Sequence, residues 1–411
     1  MAHSNPHPSI SASSLTLTDA RLIHLAAQGL LTLPSTPAAK EDVLEAIRRM
    51  QLLQIDTINV VARSPYLVLF SRLGSYDPAW LDELLAEGRI FEQWAHAACF
   101  LPIEDFPLIR SIVLAGLHGS YFSGWIENNR DAVNTVRNAL QTNGTVRSAD
   151  FKSEKSPGGW WNWKIEKVAL EYLFSHGEIL VTRRENFQRV YDLTERVIPD
   201  WQDASTPPLS EVYPALIRKS IQALGITRPA WVADYYRLPK KEIAGYLPQM
   251  ISAGEILEVN VEGWPEPALV AKENAALIQA AVHNALQPDH TTLLSPFDPA
   301  VWDRVRARQL FNFDFMIQAY TPAVKRQYGY FPLPLLHNGE IIGRLDAKAH
   351  RKDGIFEIKG FYLEDGGMLT EDLAKAIAGA VSRCATWHHA PQVIFNETIP
   401  IGLRNTLNLY L

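Results

Sequence analysis

The chain has 411 residues, 47% hydrophobic and 20% charged, which makes roughly two to four domains with cores that need no covalent staples. A formal net charge of -6 argues against a global basic surplus for holding nucleic acid, and two cysteines, Cys99 and Cys384, exclude a disulfide framework or a four-thiolate zinc site and fit a reducing, cytoplasmic setting. No apolar run approaches the ~18 residues of a spanning helix, and the first residues lack the basic-then-apolar order of a secretory signal, so no membrane partner is expected.

Residues 1–16 are rich in Ser, Pro and His without periodicity and read as a disordered tail. Helical spacing begins at Thr18 and stops at Gly29, then resumes from Lys40 to Gln51. Ser64 and Pro65 open a helix ending near Gly74; Asp77-Pro78 opens another ending at Gly88. A helical hairpin is predicted through Ala95–Phe100 and Asp105–His118, then one helix from Ser123 to Asn143.

From Asn134 the grammar changes. A helix, a short helix at Ser148, a helix from Trp163 to His176 and two β-patterned runs (178–184 and 187–193) follow the winged-helix order. The order recurs in Ser210–Leu224, Arg228–Tyr235, Pro239–Ala253, Glu255–Val261 and Ala268–Lys272. Ser175-His-Gly-Glu-Ile-Leu matches Ser252-Ala-Gly-Glu-Ile-Leu, a weak repeat. The N-terminal region could be a third copy, but no wing is visible in it. After helix Glu273–Leu286, runs at Phe315–Tyr320, Gly329–Leu336, Glu340–His350 and Gly354–Tyr362 alternate with period two. Helix Glu371–Trp387 and strand Gln392–Phe395 follow. The expected fold is α+β and multidomain: a tail (1–16), a winged-helix-like domain (17–132), two winged helices (133–200 and 201–287) and a β-barrel-like domain (288–411).

Searches for phosphate-cradling, dinucleotide and zinc-protease motifs return nothing, and no histidine pair has metal spacing. His388-His389 reads as a cationic helix end. Gln54-Ile55-Asp56 is the candidate for chemistry. In an extended segment Gln54 and Asp56 share one face. A carboxylate stabilises a cationic, oxocarbenium-like state and activates water, while an amide holds that water. The competing reading is that Asp56 merely bonds the amides of a following turn. Asp346 with Glu357 and Lys359 resembles a metal-nuclease layout, against plain strand alternation. From Arg304 to Lys359 ten Lys/Arg stand against five Asp/Glu, and a local basic face can act on an acidic protein because screening extends only ~8 Å.

Gln54-Ile-Asp-Thr-Ile-Asn59-Val-Val-Ala-Arg63-Ser, Phe70-Ser-Arg72-Leu-Gly, Trp94-Ala-His96, Gly159-Trp-Trp-Asn-Trp-Lys164, Ser295-Pro-Phe-Asp-Pro-Ala-Val-Trp-Asp-Arg304 and Gly343-Arg-Leu-Asp-Ala-Lys together resemble the AlkZ/YcaQ group of winged-helix DNA glycosylases over residues 18–395. The resemblance implies excision of N7-alkylated purines and unhooking of interstrand crosslinks in double-stranded DNA. It makes Gln54 and Asp56 the catalytic pair, in the Gln-apolar-Asp form of the YcaQ branch. Asn59, Arg63, Arg72, His96, Lys164, Lys167, Arg183, Arg184, Arg304, Arg306, Arg351 and Lys352 are the expected cleft and DNA-binding residues, His96 also reading as a core histidine and the arginines as possible ion-pair partners. No metal or cofactor is called for, and a monomer is expected. The rival class is a non-enzymatic winged-helix regulator.

Overall fold

The computed structural model describes residues 14–117, 122, 124–151, 164–364 and 369–411. Helix α1 (Leu17–Ala27) is started by a capping box: the Thr16 hydroxyl accepts from the Asp19 amide while Asp19 accepts from the Thr16 amide. The start therefore lies before Thr18.

Three stretches then share one topology. The first comprises α2 (Lys40–Met50), β1 (Leu53–Gln54), α3 (Ser64–Leu73), α4 (Ala79–Ala86) and the hairpin β2 (Ile90–Trp94) and β3 (Ala98–Pro102). Helices α5 (Phe106–Leu114) and α6 (Trp125–Asn128) lead to the second, made of α7 (Arg130–Asn143), a 3-10 turn at Ser148–Asp150, α8 (Ile165–Ser175) and the hairpin β4 (Ile179–Glu185) and β5 (Gln188–Leu193), closed by α9 (Thr194–Val197). The third is α10 (Leu209–Leu224), α11 (Pro229–Tyr235), α12 (Lys240–Ser252) and the hairpin β6 (Ile256–Val259) and β7 (Ala268–Ala271), followed by α13 (Ala275–Val282). In each, backbone between the first two helical elements pairs antiparallel with the second hairpin strand: Leu53 with Phe100, Val146 with Tyr191, Thr227 with Leu269. In each, the helix before the hairpin ends at a left-handed glycine, Gly88, Gly177 or Gly254, with φ of 69°, 71° and 71°. The next amide closes back on a helix carbonyl: Arg89 to Leu84 (2.9 Å), Glu178 to Leu173 and Glu255 to Met250 (both 3.0 Å).

Two expectations are corrected here. Ala95–Phe100 is no helix but the turn and second strand of the first hairpin. There Glu92, Gln93 and Cys99 are all buried, so the two-residue alternation was hidden. The predicted helix 123–143 is broken at Asn129, whose φ of -134° separates α6 from α7. The stretch 1–13 and Gly158–Trp163 lie outside the described residues.

The C-terminal part contains β8 (Thr291–Leu293), α14 (Arg304–Phe311), β9 (Leu333–His337), β10 (Glu340–His350), β11 (Ile355–Leu363), α15 (Glu371–Trp387), β12 (Gln392–Phe395) and α16 (Ile401–Asn408). The strands form one sheet in the order β12-β11-β10-β9-β8, antiparallel except for β11 and β12. The barrel-like unit is thus a curled five-stranded half-barrel, left open between β12 and β8. Phe315–Tyr320 is not part of it.

Three apolar clusters join these parts. One unites the first and second stretches with the sheet (Ile55, Val61, Val136, Phe174, Leu345, Phe356). A second joins the first and third (Phe91, Phe106, Leu216, Tyr236). The third packs α1 against β6–β7 and α14 (Ile23, Leu25, Val270, Leu310). No helix among the described residues is long and apolar enough to cross a membrane.

Candidate active site

Gln54 ends β1 opposite Cys99, and the ladder continues as the Ile55 amide donates to the Ala98 carbonyl at 2.8 Å. Period-two alternation therefore sets Gln54 and Asp56 on one side of the segment. Gln54 is buried, and its Oε1 has no hydrogen-bond partner. A buried acceptor left open in this way is rare enough to require a reason. Asp56 is half-buried. One carboxylate oxygen accepts from the Ile58 amide at 2.8 Å, and the other makes no hydrogen bond among the described residues. The turn-capping bond weighed as an alternative is thus present, but it occupies one oxygen only. Burial raises the Asp56 carboxyl above its ordinary value, against the lowering effect of the Ile58 bond.

The segment after Asp56 is fixed from the C-terminal sheet. The Ala349 amide donates to Val60 O at 3.2 Å, and the Arg351 guanidinium donates to Val61 O. Helix α3 is clasped by the Ser295-Pro-Phe-Asp298 motif. Ser64 Oγ meets Ser295 Oγ at 2.9 Å instead of capping the helix. Arg72 forks onto both Asp298 oxygens at 2.6 and 2.9 Å.

Two cavities flank the segment. One of about 670 Å³ is lined by Ile55, Thr57, Ser148, Lys164, Lys167 and Phe187, among others, so it runs between the first stretch and the start of α8. Lys164 donates to Phe151 O at 2.7 Å. The other, about 750 Å³, is lined by Asn59, Arg63, Tyr66, Arg351, Trp387 and His388, among others. Arg63 and Arg351 come from opposite ends of the sequence, and neither has an ion-pair partner among the described residues. Burial, with Arg63 beside it, pulls the Arg351 guanidinium below the ordinary arginine value. His388 Nδ1 lies 3.3 Å from the Arg351 guanidinium. Burial first, then Arg351 and His389, takes His388 down to about 3, so it is a neutral acceptor rather than the cationic helix end expected from the sequence.

The family model described as DNA glycosylase AlkZ-like matches residues 47–387. The chain belongs to the AlkZ-like DNA glycosylase family. Its activity class is therefore that of a DNA repair glycosylase and its substrate DNA. The fold is similar to that of the Streptomyces sahachiroi DNA glycosylase AlkZ, with a TM-score of 0.62 and 17% identity, over 94% of this chain and 100% of the other.

Several residues expected at the cleft of this AlkZ-like chain have structural partners instead. Arg72 is buried on Asp298, with its Nε donating to Gln28 O at 2.9 Å. His96 stacks on Trp302 at 4.0 Å with Nδ1 against Asp234 O, and burial takes it down to about 4, the core reading. Arg184 sits on buried Glu92 at 2.5 and 2.8 Å, where Arg189 also reaches at 2.9 Å. Burial pushes Glu92 upward, but Arg189 and Arg184 hold it below the ordinary value. Arg306 is fully buried and donates to Pro299 O, so of the arginines on α14 only Arg304 and Arg308 are exposed, and Arg308 pairs with Asp314. Arg183 is exposed but paired with Glu185. Asn59, Arg304 and Lys352 are exposed, and Arg351 and Lys352 sit in the β10–β11 turn predicted for them.

The two acids of the nuclease layout have local partners. Glu357 bonds His350 at 2.9 Å, while Asp346 accepts from the Phe331 amide. Among the described residues no three His, Cys, Asp or Glu side chains gather as a metal site.

Two participants escaped the sequence reading. Phe187, at the tip of the β4–β5 hairpin, has a φ of 66°, an outlier for a bulky residue. Arg63 and Arg184 both lie over its ring, at 4.2 and 4.3 Å. Glu92 was legible only as a charge beside Gln93 between Ile90-Phe91 and Trp94.

Proposed function

We propose that this AlkZ-like chain hydrolyses the N-glycosidic bond of N7-alkylated purines in duplex DNA, crosslinked purines included, as a monofunctional glycosylase with Gln54 and Asp56 as its catalytic pair. The observation that carries this reading is the free oxygen of Asp56, two residues from the open Oε1 of buried Gln54. An N7-alkylpurine is already cationic, so its leaving group needs no protonation. What remains is to stabilise the sugar cation and aim a water. The ionised Asp56 does the first and draws the water's proton, while the Gln54 oxygen holds the water by accepting its other hydrogen. A crosslinked base is tethered to the opposite strand and cannot be extruded into a closed pocket. The partial exposure of Asp56 suits such a substrate.

The three repeated helix-and-hairpin units we read as winged helices, with the catalytic segment in the first and the sheet unit from about residue 288. Lys164 and Lys167, near the start of α8, and the Arg63–Arg351 pair are then the phosphate contacts. The two unpaired guanidiniums in one cavity repel each other until an anion lies between them, as a backbone phosphate would. We read the protein as a monomer acting in the cytoplasm, using no cofactor.

The test is a gel assay in EDTA on duplexes carrying one N7-alkylguanine or one crosslink. Abasic sites formed by the wild type and strongly reduced in Asp56→Asn and Gln54→Ala are expected. Intact binding without excision on either substrate would favour the non-enzymatic regulator.

A further inference from the structure

Between Asp314 and Glu340 the chain carries no acidic residue, and it holds Lys325, Arg326 and the aromatic or apolar side chains Met316, Tyr320, Val324, Tyr328 and Tyr330. Large apolar groups are usually withdrawn from water, and here they are not. Tyr320 is 78% exposed, Val324 94% and Met316 47%.

The loop holds its shape. The Gln318 side-chain oxygen accepts from the amides of Gln327 (2.8 Å) and Tyr328 (2.9 Å), closing the loop at its neck. The Thr321 amide donates to Gln318 O at 3.0 Å, and the Arg326 Nε donates to Thr321 O at 2.8 Å. Pro322 leads a 3-10 turn that presents Val324. Gly329, at a φ of 105°, leaves room for Asp346, whose carboxylate a Cβ there would meet at 2.0 Å. The exposed side chains therefore stand on a braced scaffold.

Its position is beside the catalytic segment. Ile317 packs into the cluster that contains Ile55 and Val61. Burial, followed by the charge of Asp56, raises the Tyr320 phenol above its ordinary value. Arg326 lies over Tyr330 at 4.9 Å, which leaves its charge at the loop surface.

We infer that the loop from Met316 to Tyr330 is a base-contacting wedge, with Tyr320 stacking on a nucleobase opened next to the lesion and Val324 filling the gap in the stack. An exposed aromatic among basic residues with no acid suits the flat, apolar face of a base held between phosphates. A protein partner with an acidic surface would pair with Lys325 and Arg326 but would leave Tyr320 and Val324 without a purpose beside Asp56. This inference rests on the reading that the Asp56 side faces DNA.

The test uses the full chain and a duplex with one N7-methylguanine and a 2-aminopurine immediately beside it. The Asp56→Asn protein should unstack the reporter and raise its fluorescence. Adding Tyr320→Ala should abolish that rise, and Tyr320→Phe should keep it. In the Asp56 background, Tyr320→Ala should slow excision roughly tenfold or more and Tyr320→Phe should not. Val324→Ser, a second exposed change that spares the fold, should lose part of both signals. Tyr320→Ala within twofold of wild type in excision and in fluorescence would overturn the wedge, as would a wild type that leaves the reporter stacked. A Tyr320-dependent rise with no excision by the wild type would sustain the wedge and remove the glycosylase chemistry.

Discussion

The Arg351 guanidinium donates a hydrogen bond to the main-chain oxygen of Val61, so the turn between two strands of the C-terminal sheet holds the segment that carries Asp56. With the Ala349 bond to Val60 O, this makes the sheet a brace for that segment.

The first prediction concerns pH. The Asp56 carboxyl is raised by burial, and the proposed chemistry needs it ionised. Excision should therefore fall on the acid side with a midpoint above the ~3.9 of an ordinary Asp. Because the folded value exceeds the unfolded one, ionised Asp56 costs stability, and that cost appears as pH rises through these values. Asp56→Asn should thus melt at or above the wild-type temperature at pH 7 while losing about 10²–10³-fold in single-turnover excision. A variant that melts markedly lower would mean that Asp56 is chiefly a turn cap.

A second prediction follows from the buried histidines. Burial takes His96 down to about 4, and His24 and His388 to about 3. Their folded values lie below the unfolded ~6.5, so the unfolded chain binds more protons between these limits. Their contribution to stability is complete above pH 6.5 and is lost as pH falls from there toward 4 and 3. Melting curves across that range should show the decline, and His96→Gln should make it shallower.

The Arg72–Asp298 fork gives a third. Arg72→Ala leaves a fully buried carboxylate without its partner and should cost about 3–5 kcal/mol in denaturant unfolding. The double change Arg72→Met with Asp298→Leu should recover most of that loss. Equal losses in both would show that other Arg72 bonds dominate.

A fourth tests the two unpaired arginines. Arg63→Ala and Arg351→Ala should each reduce the slope of log Kd against log salt by about one for duplex binding. Arg184→Ala, whose guanidinium is held by Glu92, should leave that slope unchanged and lower stability instead. The opposite pattern would move the phosphate contact to the hairpin.

Much of this was legible in the chain because local signals agree with the fold. Helix 371–387 and strands 340–350 and 392–395 lie where spacing put them. The first hairpin was not legible, because Glu92 and Gln93 are buried polar residues, Glu92 held by distant Arg184 and Arg189 and Gln93 donating to Phe174 O at 3.3 Å. Its signal was the glycine: Gly88-Arg-Ile-Phe repeats Gly177-Glu-Ile-Leu and Gly254-Glu-Ile-Leu in chemistry and in backbone angle. The Gln54–Asp56 pair could be read from spacing. Which arginines remain unpaired could not, since a partner can lie hundreds of positions away, as Asp298 does from Arg72.

The brace on Val60 and Val61 also sets an order of events during synthesis. A ribosome-bound chain complete only to Ala271 already contains Gln54, Asp56 and all three hairpins, yet it lacks the strand and turn that pin the loop. The segment that carries Asp56 is therefore placed by parts of the chain made late, β10 and the turn after it.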